Sequence, residues 1–134
     1  MTFYQSEIQR IKKACFSNEK QLEIAIGVKN YIEANYGHDL NLDVLSHLKF
    51  VSKYHLLRLF KKYYGMTPRQ YLIDVRIEKS KEQLQQQLSV TETCFAVGFE
   101  SLGSFSSLFK AKTGKSPSEY QKEQLSRSSS ILKS

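Results

Sequence analysis

One stretch of this chain occurs twice. At an offset of 49 residues, Phe50, Ser52, Leu59, Phe60, Lys61, Gly65, Pro68 and Tyr71 align with Phe99, Ser101, Leu108, Phe109, Lys110, Gly114, Pro117 and Tyr120. Thr67 aligns with Ser116 as well. Most of these residues are of the kinds that cap a helix, stop one or anchor a core, so a structural unit is repeated rather than a charge pattern. Two copies are too few for a solenoid. Joined by a helix, they predict two similar lobes able to grip one long ligand.

Apolar residues recur at spacings of three and four, and sustained period-two alternation is absent, so the expected fold class is all-α. The reading gives about seven helices: two helix-turn-helix lobes joined by a long connecting helix. The divisions expected are an N-terminal extension (1–17), a first lobe (18–67), the connecting helix (68–87), a second lobe (88–125) and a disordered tail (126–134). In the first lobe, Ser17 caps a helix that stops at Gly37 and turns Leu22, Ile26, Lys29, Ile32 and Tyr36 to one face. A short helix from Asn41 to Leu48 follows, then one from Lys53 to Tyr64 with Ser52 as its cap and Leu56, Leu59, Phe60 and Tyr63 as its buried stripe. Pro68 opens the connecting helix, which runs to Gln87. The second lobe repeats the plan: a short helix from Val90, a turn at Gly98, a helix capped by Ser101, and a final short helix opened by Pro117 near Tyr120.

The net charge of the 134 residues is +7, and its placement matters more than its size. Residues 49–81 hold nine Lys/Arg against Asp74 and Glu78, so the whole excess lies in that segment. Such a block attracts a polyanion, with nucleic acid ahead of an anionic membrane. No segment has the ~18 apolar residues of a membrane span, and the N-terminus lacks the apolar stretch of a signal peptide. Cys15 and Cys94 match no metal or redox spacing and read as reduced thiols of a cytoplasmic protein. His38, His47 and His55 share no ligand pattern, and neither a carboxylate pair nor a nucleophile–base set stands out. The sequence therefore predicts no enzyme, metal or cofactor.

In a helix-turn-helix the second helix enters the major groove. The outer face of the first copy holds Lys53, Tyr54, Leu57, Arg58 and Lys61. Arg58 can bond both acceptors of guanine, and Tyr54 can meet a base edge or a thymine methyl. Phosphate contacts are expected from Ser52, Lys53, Lys61 and Lys62 in the first lobe and from Ser101 and Lys110 in the second. A connecting helix of about 20 residues is ~30 Å long, close to the ~34 Å between major-groove faces one turn apart. One chain would then place both readers on one side of the duplex without dimerising.

Residues from about Glu23 to Gln121 resemble the DNA-binding domain of the AraC/XylS family of transcriptional regulators. The match is carried by Val97-Gly98-Phe99, Leu108-Phe109-Lys110 and Ser116-Pro117-Ser118-Glu119-Tyr120. Its partner stretch runs from Ser52-Lys53-Tyr54 through Arg58-Leu59-Phe60-Lys61-Lys62 to Thr67-Pro68, and Arg76-Ile77 resembles the family's connecting helix. The resemblance implies an asymmetric double-stranded DNA site and activation through RNA polymerase. It also implies base readers at Tyr54, Leu57 and Arg58, with Leu102, Gly103 and Ser107 in the equivalent places. The second set departs from the family pattern, in which an arginine is common where Ser107 stands, so the first lobe is expected to supply most affinity and specificity.

Two other readings remain at this point. The chain could be a helical protein-interaction module, acting on RNA polymerase or another regulator with weak nonspecific DNA binding. An anionic-membrane binder ranks far behind, because the basic residues do not line one long amphipathic face. Only about 20 residues precede the matching region, which suggests a short stand-alone regulator or a unit that pairs with something else. The segment holding Ile8, Ile11 and Phe16 would either extend the first lobe or mediate dimerisation.

Overall fold

The computed structural model describes the chain from Thr2 to Lys133, with the side chains of 11–17 and 129–133 outside that description. Among the described residues the regular elements are seven α-helices: α1 (Phe3–Asn35), α2 (Leu42–Lys49), α3 (Lys53–Tyr64), α4 (Pro68–Gln85), α5 (Val90–Ala96), α6 (Leu102–Thr113) and α7 (Pro117–Lys133). The all-α expectation holds.

The helix boundaries follow from local chemistry. Ser52 Oγ accepts from the His55 amide at 3.0 Å, and Ser101 Oγ accepts from the Ser104 amide at 3.2 Å. Asn41 and Ser89 do the same for α2 and α5, at 2.9 and 3.1 Å. Each cap satisfies an amide that the first turn of a helix leaves without a partner. At the far ends of α3 and α6, Gly65 (φ 72°) and Gly114 (φ 84°) turn left-handed and return their amides to Lys61 and Lys110 carbonyls.

The two termini differ from expectation. Backbone helix runs unbroken through residue 17, so the expected cap, Ser17, is an interior backbone position and not a helix start; its side chain lies outside the described residues. Neither Pro nor Gly occurs between Phe3 and Ile26, and a cap-type residue alone does not interrupt a helix-compatible run. The buried face of α1 is Ala25, Val28 and Ile32, while Leu22 and Ile26 stay more than 40% exposed. The expected stripe would have turned the Lys29 ammonium inward; a rotation of about one residue puts Ala25 and Val28 there instead. At the other end α7 reaches Lys133, past Ser126, where the sequence predicts disorder. No helix breaker follows Pro117, and Arg127 pairs with Glu123 one turn earlier at 2.7 Å.

The chain forms two compact units. One comprises the residues up to Tyr31 with Asn41–Pro68; the other comprises Ile32–Leu40 with the residues from Arg69 onward. The contiguous lobes expected from sequence are thus corrected: the division falls inside α1, and α4 belongs to the second unit from Arg69 on. The first unit buries Ala25, Val28, Leu45, Leu56, Leu59 and Phe60. The second buries Ile77, Leu84, Cys94, Val97, Phe99, Phe105 and Phe109 as one cluster, with Tyr36 and Tyr120 packed against it.

The sequence repeat fails at one place. Phe99 is buried, whereas Phe50, its counterpart, is 95% exposed. The left-handed residue of the first turn is Phe50 itself (φ 55°), two positions before Ser52; in the second turn it is Gly98 (φ 103°), three before Ser101. From the left-handed residue to the cap the second turn is one residue longer, so Phe99 falls after the bend and is buried in the core.

Candidate nucleic-acid interface

Leu56, Leu59 and Phe60 pack inward from α3, and the 3.6-residue period turns Tyr54, Arg58 and Lys61 to the opposite face. All three are exposed, while Leu57 is half-buried and so divided between packing and surface. The Arg58 guanidinium carbon lies 5.8 Å from the centroid of the Tyr54 ring. That cation–π contact restrains both side chains and leaves the guanidinium edge free to donate. Tyr54 and Arg58, the expected readers of the first lobe, thus lie side by side on one exposed face of α3.

The basic residues around them differ in availability. Lys53 pairs with Asp43 of α2, and this exposed ion pair ties the first turns of α2 and α3 together. Lys62 donates to Gln21 of α1 at 3.4 Å and sits over the Tyr63 ring. Lys61 and Lys110 project into solvent from the last turns of α3 and α6. Ser52 and Ser101 spend their hydroxyl acceptors on capping, which keeps the hydroxyl proton available to a phosphate.

The outer face of α6 is bare by comparison. In helix register Gly103, Ser106 and Ser107 stand where α3 carries Tyr54, Leu57 and Arg58, and Leu102 stands where α3 carries Lys53. Gly103 and Ser107 are exposed, Leu102 is 40% exposed, and a Cβ added at Gly103 would meet open space. Ser106, half-buried, is the counterpart of Leu57 that the sequence reading did not single out.

Within the second unit, Arg76 links α4 to the segment that follows α1 and to Phe99. Its guanidinium donates to the carbonyls of Tyr36 at 2.7 Å and His38 at 2.8 Å, and lies over the Phe99 ring. Burial lowers its pKa from the usual arginine range, with Asp39 and Glu100 opposing that shift. Gly98 is required alongside: a Cβ there would come within 2.8 Å of the Tyr36 carbonyl and 2.9 Å of Arg76. The Cys94 thiol is buried and its pKa is raised by desolvation, which keeps it protonated and unreactive. Among the described residues no group of acidic, histidine and cysteine side chains could hold a metal, and no helix is long and apolar enough to cross a membrane.

Comparison with known proteins agrees with this geometry. Residues 45–123, from within α2 into α7, match a family model described as a helix-turn-helix domain. The chain is 37% identical over 92 residues to the transcriptional activator AarP of Providencia stuartii, which covers 68% of each protein. It belongs to the AraC-type helix-turn-helix family of DNA-binding transcriptional regulators. Another relative, an uncharacterised helix-turn-helix-type transcriptional regulator of Pseudoalteromonas carrageenovora, is 37% identical over 92 residues, covering 69% of this chain and 55% of that protein. The solved structure of a probable AraC family regulator from Rhodopseudomonas palustris superposes with a TM-score of 0.70 at 25% identity, covering 76% of this chain and 97% of that one. The chain spans about a third to a half of the length of several curated relatives that it matches.

Proposed function

We propose that this chain binds double-stranded DNA in a sequence-specific manner, with α3 as its principal reader, and regulates transcription. The observation that carries the reading is the Tyr54–Arg58 pair, held on the outer face of a capped second helix within the most basic segment of the chain. A guanidinium already restrained by an aromatic ring loses little freedom when it forks onto guanine N7 and O6, which favours discrimination at that base pair. Lys53, Lys61 and Lys62 supply phosphate contacts around it, with Lys110 and the Ser52 and Ser101 hydroxyls as further positioning contacts.

The second reader plays a lesser part. Leu102, Gly103 and Ser107 offer an apolar contact, a close backbone approach and one hydroxyl, so α6 anchors more than it discriminates. Leu57 completes the first reader with an apolar edge suited to a thymine methyl. A single chain fills one site, and activation proceeds through contact with RNA polymerase. The relative from Providencia stuartii bears the name of an activator.

The deciding experiment is selection of bound sequences from random duplex DNA by the wild type and by Arg58→Ala. An asymmetric motif that loses one G·C position in the variant is the expected outcome, with affinity reduced about 10- to 100-fold. Recovery of no motif at moderate salt would reject base reading and leave only nonspecific attraction by the basic segment.

A further inference from the structure

Phe50 is the most exposed of the large apolar side chains described, at 95%, and its backbone holds a left-handed conformation that disfavours any residue with a bulky side chain. The other left-handed turn positions are Gly65, Gly98, Gly114 and Gln87. Helix packing in the first unit gains nothing from a ring that stands in solvent. The ring lines a shallow groove with Asp43, Val44, His47 and Leu48 of α2, where Val44 and Leu48 are also exposed.

That groove lies on α2 and the turn after it, and one ion pair links it to the reading helix. Asp43, in its wall, pairs with Lys53, the first residue of α3, and Phe50 stands two residues before the Ser52 cap. The first turn of the second helix is the part of a helix-turn-helix that meets base edges and phosphates. Lys49 and Lys53 flank the ring in sequence, inside the segment that carries the chain's entire charge excess. Duplex DNA offers the complement, with thymine methyls and deoxyribose faces beside phosphates. A groove of five side chains is, in contrast, well short of the ~800 Å² per partner of a stable protein interface.

We propose that Phe50 is a DNA-contacting residue, its ring seated against a thymine methyl or deoxyribose at the edge of the major groove entered by α3. The proposal rests on the DNA-binding reading and extends the interface from α3 back into the turn. Phe50→Gly and Phe50→Asn suit the left-handed backbone better than phenylalanine, so both variants should melt at or above the wild-type temperature. Each is expected to weaken binding to the selected duplex about tenfold, with the salt dependence unchanged because no phosphate contact is lost. A duplex carrying 5-iodouracil at single thymine positions should cross-link to wild-type protein at one position and lose that cross-link in Phe50→Gly. Unchanged affinity in both variants overturns the proposal, as does a loss of affinity matched by a shallower salt slope. Loss of self-association in sedimentation with DNA binding intact would assign the ring to a second copy and overturn it equally. Arg58→Ala on the same duplex separates the two levels. If it weakens binding while the Phe50 variants do not, only this proposal fails; if it has no effect either, the reading of α3 fails with it.

Discussion

Arg76 does more for the second unit than its surface-type chemistry suggests. It donates to two carbonyls just beyond the end of α1, Tyr36 and His38. Arg76→Ala removes a part-buried bond to Tyr36 and an exposed one to His38, and is expected to cost about 1–3 kcal/mol in urea unfolding. Arg76→Lys should recover less than half of that, because an ammonium cannot fork across two carbonyls. Nothing in the sequence announced this role, since the partners lie 38 and 40 positions away. Tyr54 and Arg58 were legible because their spacing of four fixes a shared helix face whatever the tertiary context. The different fates of Phe50 and Phe99 were not legible for a definite reason: an alignment at constant offset hides the one-residue shift of the left-handed bend relative to the cap. The left-handed bend, not the identity of the residue, decides which of Phe50 and Phe99 points inward.

At the scale of elements, the capped helices were the most legible part of the fold. Ser52, Ser101, Gly65 and Gly114 act through backbone groups within four residues, so short-range rules suffice. The face of α1 was not legible, because Leu22, Ile26, Ala25 and Val28 all fit a helical stripe, and the choice between faces depends on what packs there. The link between α2 and α3 has a functional consequence. Asp43 holds the Lys53 ammonium at the mouth of the proposed reader, where a phosphate would otherwise compete for it. Such an exposed pair contributes at most about 1 kcal/mol to folding. Asp43→Asn is therefore expected to leave the melting temperature nearly unchanged. It should raise DNA affinity at low salt about threefold to tenfold and steepen the slope of log K against log salt by up to about one. Titration at several salt concentrations provides the check, and an unchanged slope would mean that Lys53 already leaves Asp43 when DNA binds.

For the molecule as a whole, the two units are not consecutive pieces of chain. The second unit borrows Ile32–Leu40, and Tyr36 from that segment packs on the cluster of Phe99, Phe105 and Phe109. A fragment beginning at Arg69 keeps α4 to α7 but loses Tyr36 and both acceptors of Arg76. It should unfold without a cooperative transition, whereas the full chain melts cooperatively; circular dichroism on heating distinguishes them. The repeat seen in the sequence runs from Phe50 to Tyr71 and so straddles the division at Pro68 and Arg69. What was copied in sequence is not what packs as a body. A chimera that exchanges one reader for that of a related protein cannot be made by a single splice in the connecting helix. It needs matched junctions on both sides of residues 32–40, so that each transplanted lobe arrives with the piece of α1 that completes it.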